Sequence, residues 1–505
     1  MATATLSRTD LSWVESLPEL DDEQTGAIRR ISNLSMRLKG DWSGMMGFDT
    51  VGGEDFGAFR FQLAYMTYAL GLAHVHRLPA APGVFKKSFE RLIAKMLLPD
   101  VWLYWSNAST GGGPMNKMMG DMERQWDPVA KDNIMYSAYL QSMALMYHYL
   151  FRDDRYAQPG GLTMRLETRF WNEGGFTFPY DEKSLNTHIF WQMAEEGFMG
   201  VACEPGCIFQ ICNQPTLIGF RMHDLVYGTD MAEQASKGYL AAWNEFGMFD
   251  ERGDFTTLML RFNRSPFTID SANMHFWLMA LLHSWQPEVV ESQYPRYRDR
   301  YVLDGPAGTK WIEPRLAPFE APDATHNTFN MAWAACAASE VGDDATRDGL
   351  LAYADRFFHP TWEDGGFYYK RHDENFDADG NFIAMDVASG NAMFNYARLN
   401  VKDGLKKLYD GPLDDAHFIQ PALVDLPDDV DVRRAVYDKK RKALVITLGS
   451  LATPRPIVLE VRAPADRPLP VVLQDGVELD GLCRSDVGFT VDLELGTRTT
   501  LVFQW

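Results

Sequence analysis

The hydrophobic periodicity of this 505-residue chain changes once, and that change constrains the fold more than any other feature. From about residue 22 to 408, apolar residues recur at spacings of three and four, as helices require. From Val432 to Trp505 they alternate with polar residues in short β-branched runs. Examples are Ala443-Leu444-Val445-Ile446-Thr447-Leu448 and Phe489-Thr490-Val491-Asp492-Leu493, parted by turn residues such as Asp475-Gly476. Such alternation specifies strands with one buried face. The expected domains are a helical body over residues 1–411 and an all-β module over 430–505, most simply a small sandwich. The Asp- and Pro-rich segment 412–429 is the expected linker.

Several helical segments are apolar nearly all round, among them 61–76, 133–151, 213–226, 272–285 and 327–340. Such helices must be covered on both faces. Three connections also look alike: Phe170-Trp171-Asn172-Glu173-Gly174-Gly175-Phe176, Phe249-Asp250-Glu251-Arg252-Gly253-Asp254-Phe255 and Trp362-Glu363-Asp364-Gly365-Gly366-Phe367. Each runs from an acidic turn through glycine to a short strand. Repetition of a helix pair plus a hairpin is what a closed ring of helical hairpins produces. Roughly eleven to thirteen helices are counted by pattern, close to what an (α/α)6 toroid needs. The expected fold is mainly α, an (α/α)6 toroid or barrel followed by a small C-terminal all-β sandwich. An open solenoid is the alternative.

Charge narrows the partners. With 48 Lys and Arg against 69 Asp and Glu, the net charge is −21. An acidic surface lacks the basic clusters that nucleic acid and anionic membranes require, so neither is expected to bind. The first residues carry no apolar run of the signal-peptide kind, and no stretch of about 18 uninterrupted apolar residues appears. Five cysteines are too few, and odd in number, for a disulfide framework. The expectation is a cytoplasmic protein with free thiols that acts on a small molecule.

A helical ring leaves a cavity where inner helices converge, so candidate residues lie just before, or early in, apolar helices. Cys203 and Cys212 stand in such a place, with Asn213 at the start of the next helix. A thiol there can exchange a proton if a helix N-terminus or a cation lowers its ordinary pKa of about 8.5. Two buried cysteines acting as small hydrophobes is the plainer reading. Cys207 adds a third thiol, but the irregular spacing and the distant His223 do not suit a metal site, and no metal is expected. Cys336 and Cys483 read as ordinary core or β-module residues. Asp132 or Asn133 can cap the helix that carries Met135 and Tyr139 on one face, and Tyr139 can donate to a hydroxyl. Asp270 and Ser271 can cap a helix whose first turns hold Asn273 and His275. Asp41 and Asp49 lie among aromatics and methionines, where an unpaired carboxylate has its pKa raised, or in a solvated loop, which fits the segment equally.

These segments resemble the linalool dehydratase/isomerase family in order and spacing. Asp132-Asn133-Ile134-Met135-Tyr136 resembles its Glu-Asn-Ile-Met-Tyr. Cys203-Glu204-Pro205, Phe209 and Cys212-Asn213 match its Cys-Glu-Pro, Phe and Cys-Asn. Tyr227-Gly228-Thr229-Asp230 is similar to its His-Gly-Thr-Asp, Ser271-Ala272 to its Ser-Ala, and Tyr294-Pro295-Arg296-Tyr297 to its Tyr-Pro-Arg-Phe. The resemblance spans roughly residues 30 to 400 and leaves the β-module uncovered.

The resemblance implies an (α/α)6 barrel, a possible homo-oligomer (a pentamer in the type enzyme), and cofactor-free acid/base chemistry on an alkenol. One group protonates an allylic hydroxyl as it leaves as water, and another removes a proton from the neighbouring carbon. Carried over, Cys203 and Cys212 match the two thiols and Asp41 the aspartate. Tyr139 stands where the family has histidine, and Asn273 where it has an aromatic residue. The implied catalytic set is Cys203, Cys212, Asp41 and Tyr139. The substrate-contacting set is Met135, Phe209, Asn273, His275, Asp49 and Asn213. The polar departures imply a terpenoid or aryl alcohol other than linalool. A polysaccharide lyase, epimerase or glycoside hydrolase on the same scaffold is the alternative, with Asn186 neutralising a uronate and His188 or Tyr139 as acid or base.

Overall fold

The computed structural model describes residues 11–45, 59–111, 122–168, 170, 174–313, 328–370, 379, 389–450, 454–464 and 468–505. Its helical body is built from α1 (Asp22–Met36), α2 (Phe59–His76), α3 (Pro82–Met96), α4 (Ile134–Phe151), α5 (Glu182–Glu195), α6 (Gln214–Tyr227) and α7 (Met231–Phe246). It continues with α8 (Ala272–Leu282), α9 (Pro287–Tyr301), α10 (Thr328–Val341), α11 (Asp344–Phe357), α12 (Phe394–Leu399) and α13 (Gly404–Asp410).

The even-numbered helices form an inner layer. α2 touches α4, α4 touches α6, α6 touches α8, α8 touches α10, α10 touches α12, and α12 returns to α2. Their sequences explain this. In α4, 16 of 18 residues are buried, and Ser, Gln and Tyr take the places that Lys or Glu would hold on a surface helix. The odd-numbered helices cover the outside, α3 lying against α2 and α4, and α11 against α10 and α12. They carry one apolar stripe each. In α3, Phe85, Phe89, Leu92 and Met96 are buried, while Lys86 and Lys87 reach solvent.

Several buried polar groups pair across helix contacts. Gln141 of α4 donates to Asn186 Oδ1 (2.7 Å) and accepts from Thr216 Oγ1 of α6 (2.7 Å). Gly219 on α6 makes room for this amide, since a Cβ there would stand 2.6 Å from Gln141 Cδ.

The β-module is two facing antiparallel sheets. One runs in the order Ala422–Asp425, Arg455–Arg462, Gly488–Leu495, Leu482–Arg484, and the other Val430–Asp438, Ala443–Ser450, Arg498–Gln504, Val471–Gln474, Val477–Glu478. Its boundaries differ from those expected. The strand Ala422–Asp425 lies within the expected linker yet pairs with Arg455–Arg462, because its Ala422 and Leu423 are buried. The turn Ser12–Ser16 also belongs with this module, packing Val14 on Ala443, Val445 and Val502. The module grips α1 through Arg29–Asp431 (2.7 Å), the segment before α1 through Arg434–Glu19 (2.6 Å), and α3 through Gly83, which abuts the Val424 backbone.

Of the three similar connections, the last is a hairpin, Pro360–Glu363 paired with Gly366–Tyr369, and the second a single bridge, Phe249 to Phe255. In the first, Phe176–Phe178 pairs with Met164–Leu166. Among the described residues no helix is long and apolar enough to cross a membrane.

Gly219→Val should drive methyl groups into the Gln141 amide. The expected loss is about 1–3 kcal/mol in urea unfolding, and an unchanged midpoint would show that Gln141 moves aside at no cost.

Candidate active site

Several of the residues singled out in the sequence lie near the N-terminal ends of inner helices. A tight loop brings the thiols there. The Cys203 N–H donates to Cys207 O (2.9 Å), and the Cys207 N–H donates to Glu204 O (3.0 Å). Cys207–Phe209 then forms strand β1, which pairs with β2 (Leu258–Leu260), itself paired with β3 (Ser265–Phe267). The 3-10 turn Ile211–Asn213 follows, carrying Cys212 to the first turn of α6.

Asn213 closes the loop. Its Oδ1 accepts from the Val201 N–H (2.8 Å), and its Nδ2 donates to Val201 O (3.0 Å) and Phe209 O (2.9 Å). Gly200, at φ +127°, lets the backbone pass this close; a Cβ there would fall 2.6 Å from Asn213 Nδ2. Asn213 was expected to contact substrate. Its amide is instead spent on the backbone that sets Cys203 and Cys212 within hydrogen-bonding reach of each other.

Both thiols are buried, and the pKa of each is raised rather than lowered as expected. For Cys203 the main cause is its hydrogen bond to Cys212, followed by burial. For Cys212 burial dominates, over the pull of the Arg60 guanidinium and of the Cys203 hydrogen bond. Cys207 is pushed up to about 12 by burial. The helix N-terminus beside Cys212 favours the thiolate, but desolvation outweighs it. At neutral pH the pair consists of two protonated thiols.

Tyr139 on α4 and Tyr65 on α2 share a short hydrogen bond between their hydroxyls. Burial raises both phenol pKa values well above the ordinary range, and both rings lie close enough to Cys212 to respond to its charge. An aromatic wall stands beside them. Phe61 meets Tyr139 edge-on at 5.9 Å and Trp277 at 5.8 Å, Tyr65 meets Trp333 at 4.8 Å, and Trp277 stacks on Trp333 at 5.0 Å. The indole N–H groups of Trp277 and Trp333 are buried without hydrogen-bond partners.

Tyr65, Arg60, Trp277 and Trp333 were not identified from the sequence. A signal was present. Phe61 and Tyr65, Asn273 and Trp277, and Phe329 and Trp333 repeat the four-residue spacing of Met135 and Tyr139, which puts each pair on one helix face.

The remaining expected residues divide. Met135 is buried one turn before Tyr139, and Phe209 is buried on β1. Asn273 is buried one turn before Trp277. Its Oδ1 accepts from the Ser271 hydroxyl and the Met274 N–H (2.8 Å), and its own N–H donates to Asn330 Oδ1 (2.6 Å).

His275 does not join them. Two residues from Asn273, it points to the outer layer and stacks on Tyr297 at 4.3 Å, with burial lowering its pKa to about 4. Asp41 also departs from expectation. Its carboxylate accepts from Ser43 Oγ (2.6 Å) and Ser43 N–H (3.0 Å), and these bonds lower its pKa. Asp49 lies outside the described residues.

Neither expected cap forms. Asn133 takes the cap position of α4 in the left-handed region (φ 59°), with its amide donating to Pro128 O and accepting from Tyr104. The Ser271 hydroxyl goes to Asn273, and Asp270 to Tyr301. Asn186 is held by Gln141, and His188 faces the Val129 and Ala130 carbonyls at 3.1 Å, so neither is turned to the thiols.

The family model described as linalool dehydratase/isomerase matches residues 60–375. The chain belongs to the linalool dehydratase/isomerase family. The matched span holds Arg60, Tyr65, Tyr139, both thiols, Asn273, Trp277 and Trp333, and excludes Asp41 and the β-module. Among solved structures, the chain is similar to the GH76A α-1,6-mannanase of Salegentibacter sp. HEL1_6 (11% identity, 76% of this chain and 99% of that chain, TM-score 0.39). It is also similar to an unsaturated glucuronyl hydrolase from Streptococcus agalactiae (10% identity, 82% and 100%, TM-score 0.40). The endoglucanase CelQ from Clostridium thermocellum is a third (10% identity, 96% and 92%, TM-score 0.37). Likeness at this level assigns no activity.

Two outcomes follow from this geometry. Asn213→Ala strands the Val201 N–H and loosens the loop, with an expected loss of about 1–3 kcal/mol per orphaned group; retention of full stability would deny Asn213 its clamping role. In native protein at pH 7.5, iodoacetamide should modify exposed Cys483 well before Cys203 or Cys212. Mass spectrometry showing the buried pair modified first would mean that one of them is a thiolate.

Proposed function

We propose that this family member is a hydro-lyase and isomerase acting on an alkenol-like substrate, a terpenoid or aryl alcohol, by proton transfer from the Cys203–Cys212 pair. The observation that carries this reading is two buried thiols, both with raised pKa, beside a hydrogen-bonded phenol pair that packs on an aromatic wall. Protonated thiols suit departure of a hydroxyl, which needs a proton donor rather than a nucleophile. The Sγ–H proton passes to the hydroxyl oxygen, and the C–O bond breaks with its electron pair leaving as water. The remaining thiolate is stabilised by the other thiol and by Arg60. The allylic cation faces Phe61, Trp277 and Trp333, whose ring faces attract positive charge. The thiol pair then takes a proton from the neighbouring carbon, which closes the cycle and leaves a diene. Return of water to the other end of the allyl system gives the isomer.

Tyr139 and Tyr65 are placed to hold the hydroxyl by hydrogen bonding rather than to ionise, because burial keeps them neutral. Asn273, beside Trp277, supports a substrate with one further polar group. The scaffold in this reading is an (α/α)6 ring, supported by the closed order of the six inner helices.

The test is gas- and liquid-chromatography mass spectrometry of the purified enzyme against linalool, geraniol and aryl-substituted tertiary alcohols. A mass change of one water is expected for at least one of them. Cys203→Ala and Cys212→Ala should each lower kcat by about 10²–10⁴-fold while leaving the fold intact. Because the thiol pKa values are raised, dehydration should persist through neutral pH and fall only as alkaline pH removes the shared proton. Wild-type rates in either cysteine variant would overturn the reading.

A further inference from the structure

At the end of the inner helices remote from the thiols lies a side-chain group that this chemistry does not use. His283 follows the last residue of α8, ten residues and so about 15 Å of helix from Asn273. Its ring is fully buried, and neither Nδ1 nor Nε2 has a hydrogen-bond partner. A buried imidazole with two orphaned nitrogens demands a physical reason.

Three carboxylates surround it. Nε2 stands 3.6 Å from Glu291 Oε1 on α9 and 3.9 Å from Asp403 Oδ1, and Nδ1 stands 3.4 Å from Glu340 Oε1 on α10. One donor atom each from His283, Glu291 and Asp403 lies within 4.8 Å of the others. A tetrahedral ion with bonds of about 2.0–2.2 Å holds its donors roughly 3.3–3.6 Å apart, so shifts of a few tenths of an ångström to about one ångström complete the set.

Two further details point the same way. Glu340 is fixed by Asn400 Nδ2 (2.8 Å) and by the Leu405 and Lys406 N–H groups (3.0 Å each). It faces Nδ1 of His283 from this fixed position at 3.4 Å, where the outer carboxylate of a metal-bound histidine stands. Asp403 occupies the cap position of α13 in the left-handed region (φ 56°), yet its side chain makes no cap bond. That carboxylate turns to His283 instead.

We propose that His283 Nε2, Glu291 and Asp403 bind a divalent transition-metal ion, Zn²⁺ by preference, with Glu340 orienting the imidazole. An imidazole in the set favours Zn²⁺ over Mg²⁺ or Ca²⁺, which take oxygen ligands. The ion ties α8, α9 and the start of α13 together, and its fourth position opens to solvent beside Glu291, whose side chain is 54% exposed. It is a fastening of the ring, separate from the thiols.

The full chain, tag-free and stripped with EDTA, is titrated with ZnCl₂ by calorimetry and with Co²⁺ by absorption spectroscopy. Expected are about one Zn²⁺ per chain, a higher Tm with Zn²⁺ than with EDTA, and a Co²⁺ spectrum without a thiolate charge-transfer band. Glu291→Gln and Asp403→Asn alter the more exposed ligands, so both variants should fold as the stripped wild type does. Each should weaken Zn²⁺ binding by at least about tenfold and abolish the Tm gain. The assignment is overturned by wild-type binding well below one equivalent, by a thiolate band, or by unchanged affinity in the E291Q/D403N double variant.

Discussion

A helix such as α4, with 16 of its 18 residues buried, has no face on which a charge can meet water. The cost of desolvating an unpaired charge there is several kcal/mol, and α4 accordingly carries no Asp, Glu, Lys or Arg. The remaining features of the helical body follow. An outer helix must cover each inner one, and amides and hydroxyls find each other across helix contacts as Gln141, Thr216 and Asn186 do. Burial raises the pKa values of Cys212, Tyr65 and Tyr139, and adds to the hydrogen bond from Cys212 that chiefly raises that of Cys203.

The constraint also decides what chemistry the interior can perform. Protonated thiols and phenols are stable there and can lend a proton where a leaving group needs one. Placing them takes backbone precision, which Asn213 supplies by binding Val201 and Phe209 at once. The helix N-termini and Arg60 stand ready to offset the negative charge that appears when a proton departs. At the opposite end of the layer Glu340 and His283 are buried together.

The β-module takes part differently. Its grip is on α1, the segment before α1 and α3 through Arg29, Glu19 and Gly83, on the outside of the helical body. Its sheet uses the strand Ala422–Asp425, which the Asp- and Pro-rich composition of its neighbourhood disguises as linker. Composition reports average solvent exposure, while a four-residue strand is decided by the partner it pairs with.

Periodicity by itself determined the two-part architecture, the near-complete burial of helices such as α4, and the positions of Met135, Tyr139, Cys203 and Cys212 near helix starts. These are local properties, because a run of residues without charge has one stable environment wherever it occurs. Tertiary structure alone decided which of those residues meet. Tyr65 and Tyr139 are 74 positions apart yet share a hydrogen bond, and Trp277 stacks on Trp333 from another helix. It also decided the sign of the thiol shifts, since a helix N-terminus is visible in a sequence but the depth of burial that outweighs it is not. Asn213 and His275 show the same limit. Each has the chemistry of a ligand-binding residue, and only the packing of its surroundings directs the first to the backbone and the second to the outer helices.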